Sequence, residues 1–153
     1  MKTRTLSLAL IAGIVAWGAA SADPVLTPVS QEAYLERVAA GADAPFVLDV
    51  RSAEEYVTGH VPGAVNIPHD QLAARLDEVP KDKAVLLYCR SGKRAGIAGQ
   101  VLADNGYQRL QHLEGDMAGW IEKGRPVERP RDAAACVAAL SSGGPAQQAC
   151  AAH

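Results

Sequence analysis

The chain has 153 residues, 15 Lys+Arg against 17 Asp+Glu and a formal net charge of −2. That length carries one domain with a real core but leaves little room for two. The near-neutral, slightly acidic balance favours no nucleic-acid partner, because backbone phosphates are held by clustered cations.

Lys2 and Arg4 precede an apolar run from Leu6 to Trp17, followed by Gly18-Ala19-Ala20-Ser21-Ala22. This is the pattern of a secretory signal peptide with Ala20-x-Ala22 as the cleavage signal. As a membrane span the run is too short, since a hydrocarbon core needs about 20 apolar residues. Residues 1–22 are therefore read as a signal peptide, which leaves 131 of the 153 residues and a net charge of −4 once Lys2 and Arg4 are gone. The expected product is periplasmic or secreted, a monomer, and off the membrane after cleavage.

Along the mature chain, Ala33, Tyr34 and Val38 recur at helical spacing between Ser30 and Ala40, with Gly41 as a stop. Phe46 to Val50 reads as a short buried strand with Asp49 near its carboxyl end. Ser52 and Glu55 form a capping box that opens a short helix ended by Gly59. A strand is expected from Ala64 to Ile67 and a helix from Gln71 to Val79, before Pro80. Ala84 to Tyr88 is a continuous apolar run suited to a strand covered on both faces. Beyond Cys89 to Arg94 a helix is expected to run to Asn105, closed by Gly106. A strand from Arg109 to Leu113 and a helix from Asp116 to Lys123 complete the alternation. Strands alternating with helices give an α/β class with a mostly parallel sheet.

From Pro126 the composition changes, and residues 129–153 read as an Ala-rich extension of two short helices about Ser141 to Pro145, appended to a domain over residues 23–128. Cys89, Cys136 and Cys150 are an odd number for a compartment that permits disulfides. Cys136 and Cys150 share the tail, so the economical pairing joins them and leaves Cys89 free. A loop of about 15 residues closed in this way is stabilised by roughly 3 kcal/mol in the chain-entropy account.

Cys89 lies at the carboxyl end of a strand and just before a helix, where open α/β sheets bind ligands. Successive backbone N–H groups that open a helix make an anion nest, and the helix dipole adds positive charge. Gly92 lets the chain curl, and Arg90, Lys93 and Arg94 place three cations within five residues of the sulfur. Together these should favour a thiolate at neutral pH. Such a thiolate can take the outer sulfur of an anionic donor as a persulfide and pass it to a thiol or to cyanide. Neither metal nor organic cofactor is needed for this chemistry, and the histidines lack metal-ligand spacing. His60 and His69 are expected to be structural or surface residues.

At this point the sequence resembles the rhodanese family. The matching segments are Leu48-Asp49-Val50-Arg51 with Glu54-Glu55-Tyr56, Gly59 to Pro68, Val85 to Ala95, and Leu113-Glu114-Gly115-Asp116-Met117-Ala118-Gly119-Trp120. They cover about residues 28 to 126 in the family's order, and with the signal peptide they are similar to small periplasmic single-domain thiosulfate sulfurtransferases. The resemblance implies a central five-stranded, mostly parallel sheet flanked by helices. It also implies a catalytic Cys89, with substrate held by the loop Arg90, Ser91, Gly92, Lys93 and Arg94. Asp49 and Arg51 are expected to support that loop as an ion pair. Asp116 departs from the resemblance, because many relatives carry a second glycine there, so this turn is expected to be built differently.

Three rivals stand beside this reading. Cysteine phosphatases and arsenate reductases resemble Cys-x5-Arg, whereas Arg94 here is the fifth residue after Cys89; the shorter ring suits a persulfide sulfur better than a tetrahedral oxyanion. A carrier that delivers persulfide to a partner protein would use the same Cys89. Cys136 and Cys150 as a redox pair would need closer spacing than 13 intervening residues, so a structural staple is expected.

Overall fold

The computed structural model describes residues 26–41, 43–143 and 150. The expected signal peptide over residues 1–22 and the second short helix expected in the tail lie outside the described residues. The five strands are β1 (Thr27–Val29), β2 (Phe46–Asp49), β3 (Val65–Asn66), β4 (Val85–Tyr88) and β5 (Leu110–Leu113). They form one sheet in the order β1-β5-β4-β2-β3, and every neighbouring pair is parallel. The helices are α1 (Gln31–Ala39), α2 (Ala53–Val57), α3 (Lys93–Asp104), α4 (Asp116–Glu122) and α5 (Ala133–Ser141). Among the described residues no helix is long and apolar enough to cross a membrane.

Both faces of the sheet are covered, and the period-two alternation of strands divides the core into two clusters. One face gathers Val47, Leu86 and Tyr88 with Tyr34, Tyr56, Met117 and Trp120. The other gathers Leu48, Val50, Val85, Leu87 and Cys89 with Ala95, Ala98 and Leu102 of α3. Cys89 thus continues the inward alternation of β4 and points to the α3 side.

The local start signals hold. Ser30 Oγ accepts from Ala33 N at 3.1 Å at the start of α1. The capping box of α2 is complete, with Glu55 N donating to Ser52 Oγ and Ser52 N donating to Glu55 Oε2. The expected Cys136–Cys150 disulfide is present. It fastens α5, whose Cys136 and Leu140 are buried in the same cluster as Tyr56 and Trp120.

Two expectations need correction. The helix expected from Gln71 to Val79 is instead two 3₁₀ turns, Leu72–Ala74 and Leu76–Glu78, separated by Arg75 at φ −128° and ψ 29°. Tertiary contacts explain the break. Tyr107 Oη donates to the carbonyls of Leu76 and Val79, the Arg75 guanidinium grips Glu78 and Gln71, and Leu72 and Val79 are buried beside α3. Strand β1 was not expected from the residues, since Thr27-Pro28-Val29 is short and contains a proline. Its place at the sheet edge tolerates that proline, and Leu26 packs so closely on Gly99 that a Cβ there would lie 2.8 Å from it.

Candidate active site

Cys89 follows β4 directly and is 1% exposed. The chain then curls so that Gly92 N donates to Cys89 Sγ at 3.1 Å. This curl requires Gly92 at φ 97°, a conformation that side chains disfavour. Gly92 is also the N-cap of α3 and offers no side chain to the helix's first N–H groups. Those groups, with the helix dipole behind them, remain free to meet an anion beside the sulfur.

The start of α4 grips the opposite flank of the loop. Met117 N donates to Cys89 O at 3.0 Å and Ala118 N to Arg90 O at 3.1 Å. Asp116 Oδ1 accepts from Cys89 N at 2.8 Å, and its Oδ2 lies 3.0 Å from His112 Nε2. The hydrogen bond that the His112 ring donates to Asp116 raises the His112 pKa above its ordinary value.

The three cations of the loop divide. Arg90 and Lys93 are exposed, as is Ser91. Arg94 turns back to α2 and makes a two-pronged pair with Glu55, at 2.5 and 2.9 Å. This pair raises the Arg94 pKa, with a further contribution from Cys89, so the guanidinium stands near the sulfur while its charge is shared with Glu55. Glu55 therefore closes the α2 capping box and anchors the loop at once.

Asp49 and Arg51 lie below the loop as a buried ion pair at 2.5 Å. Arg51 also donates to Gly59 O, and Tyr88 Oη donates to Asp49 Oδ2 at 2.6 Å. Since Tyr88 immediately precedes Cys89, the pair supports the strand end from which the loop departs. His60 is buried, stacks on Tyr56 at 3.7 Å and keeps its Nδ1 3.1 Å from Tyr56 O. Its burial lowers its pKa. Among the described residues no three His, Cys, Asp or Glu side chains gather as a metal-ligating cluster.

The arrangement brings Cys89, Gly92 and Arg94 together and leaves Arg90, Ser91 and Lys93 at the solvent rim. Sequence reasoning assigned no role at this site to Glu55, Asp116 or His112. The i, i+4 spacing of His112 and Asp116 around the β5–α4 turn was the available signal, but it does not reveal that the turn folds back on Cys89.

The profile of the Rhodanese-like domain matches residues 30–123. The chain belongs to the rhodanese-like sulfurtransferase family. A protein named Sulfurtransferase from Allochromatium vinosum is 32% identical over 106 residues, which cover 69% of this chain and 98% of that protein. The sulfur carrier candidate YrkF of Bacillus subtilis is 30% identical over 95 residues, covering 62% of this chain and 51% of that one. Among solved structures, a rhodanese-related protein from Thermoplasma volcanium superposes with a TM-score of 0.58 at 29% identity, covering 66% of this chain and 96% of its own.

The Glu55–Arg94 pair yields a pH prediction. Arg94 lowers the Glu55 pKa from 4.5 to about 2. A depressed carboxylate stabilises the fold above its unfolded pKa, and that contribution is lost as pH falls through the folded value. Glu55 is partly exposed, so solvent screening reduces the contribution to about 1 kcal/mol. Urea unfolding should show Glu55→Gln less stable than wild type by about that much near pH 7, with the gap closing between about pH 4.5 and pH 2. A gap that persists at the acid end would show that the ion pair is not its source.

Proposed function

We propose that this rhodanese-like sulfurtransferase takes sulfur from a small anionic donor, thiosulfate in the first instance, and carries it as a persulfide on Cys89. The observation that carries the reading is the Gly92 N–H directed at Cys89 Sγ at 3.1 Å, at the uncapped start of α3. A sulfur anion on Cys89 is solvated there by backbone dipoles that need no reorganisation.

In the first step the Cys89 thiolate attacks the outer sulfur of thiosulfate. The Cys–S bond forms, the donor's S–S bond breaks, and sulfite leaves with the electron pair. In the second step a thiolate or cyanide attacks the outer sulfur of the persulfide, and the Cys89 thiolate is released with the other pair. The products are a new persulfide or thiocyanate, and two half-reactions of this kind give ping-pong kinetics. Arg90 and Lys93 at the rim attract the anionic donor, Arg94 stands by the sulfur, and Ser91 and Gly92 supply backbone to the ring. The N-terminal pattern favours action in the periplasm or outside the cell.

Similarity to a sulfur carrier candidate supports a second reading, in which the same persulfide is delivered to a partner protein. Intact-mass analysis of thiosulfate-treated protein, followed by addition of cyanide or a small thiol, tests both. Gain of one sulfur atom and its rapid loss to the acceptor is the expected result. Stable loading with slow release would favour the carrier, and failure to gain sulfur would refute the persulfide.

A further inference from the structure

Among the described residues Asp116 is the one non-glycine residue at positive φ, 52°. The left-handed region costs an ordinary L-residue roughly 1–2 kcal/mol, which glycine would avoid. The side chain is nonetheless buried, with the residue 3% exposed, so the carboxylate is withdrawn from water as well. Its two oxygens are both engaged, Oδ1 by the Cys89 N–H and Oδ2 by His112 Nε2. The pair also reaches the other end of the sulfur-binding curl. A Cβ on Gly92 would lie 3.3 Å from Asp116 Oδ2 and 3.6 Å from His112 Cε1. Asp116 therefore holds the peptide of Cys89, and together with His112 it bounds the space that a side chain on Gly92, whose N–H meets Sγ, would enter.

Neither the strain nor the burial serves the core, since the polar contacts of the Asp116 side chain are with the loop and with His112. We infer that Asp116, braced by His112, is a positioning residue for Cys89, its carboxylate fixing the peptide from which the sulfur-bearing loop begins. Because His112 partners the same carboxylate, its protonation sets how much negative charge stands against that peptide. The other charges around Cys89 are Arg94 of α3 and, through it, Glu55 of α2. Arg90 and Lys93 lie at the rim, and Glu114 faces His112 from beyond β5. With its ring proton held by Asp116, His112 has its pKa raised above the ordinary imidazole value. The compensation of the Asp116 charge is therefore present below the raised His112 pKa and is lost as pH rises through it.

This inference rests on Cys89 as the sulfur carrier for its role in turnover, but its geometry is tested separately. The full chain is compared with Asp116→Gly, Asp116→Asn and His112→Gln. Thermal melting checks the fold, and glycine at φ 52° relieves strain, so Asp116→Gly folds. Two rates are read by intact mass: persulfide loading from thiosulfate, and alkylation of Cys89 by iodoacetamide across about pH 5 to about pH 10. Asp116→Gly should load at least about tenfold more slowly, as expected for a reacting atom let slip from its place. Asp116→Asn, which still offers an oxygen to the Cys89 N–H, should recover most of that loss. His112→Gln, which keeps a donor for Asp116, should remove the His112 titration step from the alkylation profile. Wild-type loading and alkylation in Asp116→Gly, or no recovery in Asp116→Asn, would overturn the assignment. If wild type gains no sulfur while Asp116→Gly still alters alkylation, the sulfur-transfer reading falls and the positioning role stands.

Discussion

Cys89→Ser is expected to gain no sulfur from thiosulfate and to lose sulfur transfer to cyanide by a thousandfold or more, on the order seen when a covalent nucleophile is removed. The serine hydroxyl is a far weaker nucleophile at neutral pH, and a sulfur placed on oxygen is not a persulfide. The substitution isolates chemistry from structure for a specific reason. Gly92 N already donates to Sγ at 3.1 Å, and a serine Oγ accepts the same hydrogen bond. The cost of a buried hydroxyl beside Leu87 and Ala95 is then about 1 kcal/mol, within reach of a urea titration. Cys136 and Cys150 are joined to each other and supply no second thiol. Intact mass after thiosulfate treatment under non-reducing conditions, with thiocyanate production as the kinetic readout, checks the prediction. An equal gain of sulfur by Cys89→Ser would move the chemistry elsewhere.

What the sequence made legible was the part specified by short-range rules. The Ser52–Glu55 capping box needs only a four-residue pattern, and it is formed as read. The apolar run before Cys89 declares a strand covered on both faces, and Gly92 declares the curl after it. The pairing of Cys136 with Cys150 followed from their shared place in the tail, apart from the Cys89 that stands alone after a strand.

What was not legible depended on partners distant in sequence. Residues 71–79 carry an acceptable helical pattern, but Tyr107, 28 residues beyond Val79, takes two of their carbonyls. Strand β1 forms because β5 offers an open edge, which no property of Thr27-Pro28-Val29 announces. Glu55 reads as a helix cap, and its second role is set by Arg94, 39 residues away. Asp116 could be read as a departure from the expected turn. That its carboxylate would return 27 residues to the Cys89 peptide is a property of the closed fold.

Asp49→Ala is expected to be the most destabilising of the single substitutions considered, by about 3 to 5 kcal/mol, because it strands a buried charge. Asp49 is 0% and Arg51 5% exposed. The Asp49 carboxylate accepts from the Arg51 guanidinium, from Arg51 N and from Tyr88 Oη, so its removal leaves all three without that partner. Asn66 donates to the carbonyls of Asp49 and Arg51 and holds this backbone against β3, leaving the guanidinium little freedom to find water. Tyr88 Oη accepts from Val61 N, so the loss extends to the turn before β3 as well as to the strand end that carries Cys89. Replacing both charges, as in Asp49→Leu with Arg51→Met, should recover much of the stability, since two apolar side chains desolvate at no comparable cost. Urea unfolding of Asp49→Leu, Arg51→Met and the double variant gives the coupling directly. A double variant as unstable as the sum of the singles would mean that the pair's mutual attraction contributes nothing. A strongly recovered double variant that still loads sulfur slowly would instead separate the two tasks of the network, holding the fold and holding Tyr88 beneath the reactive loop.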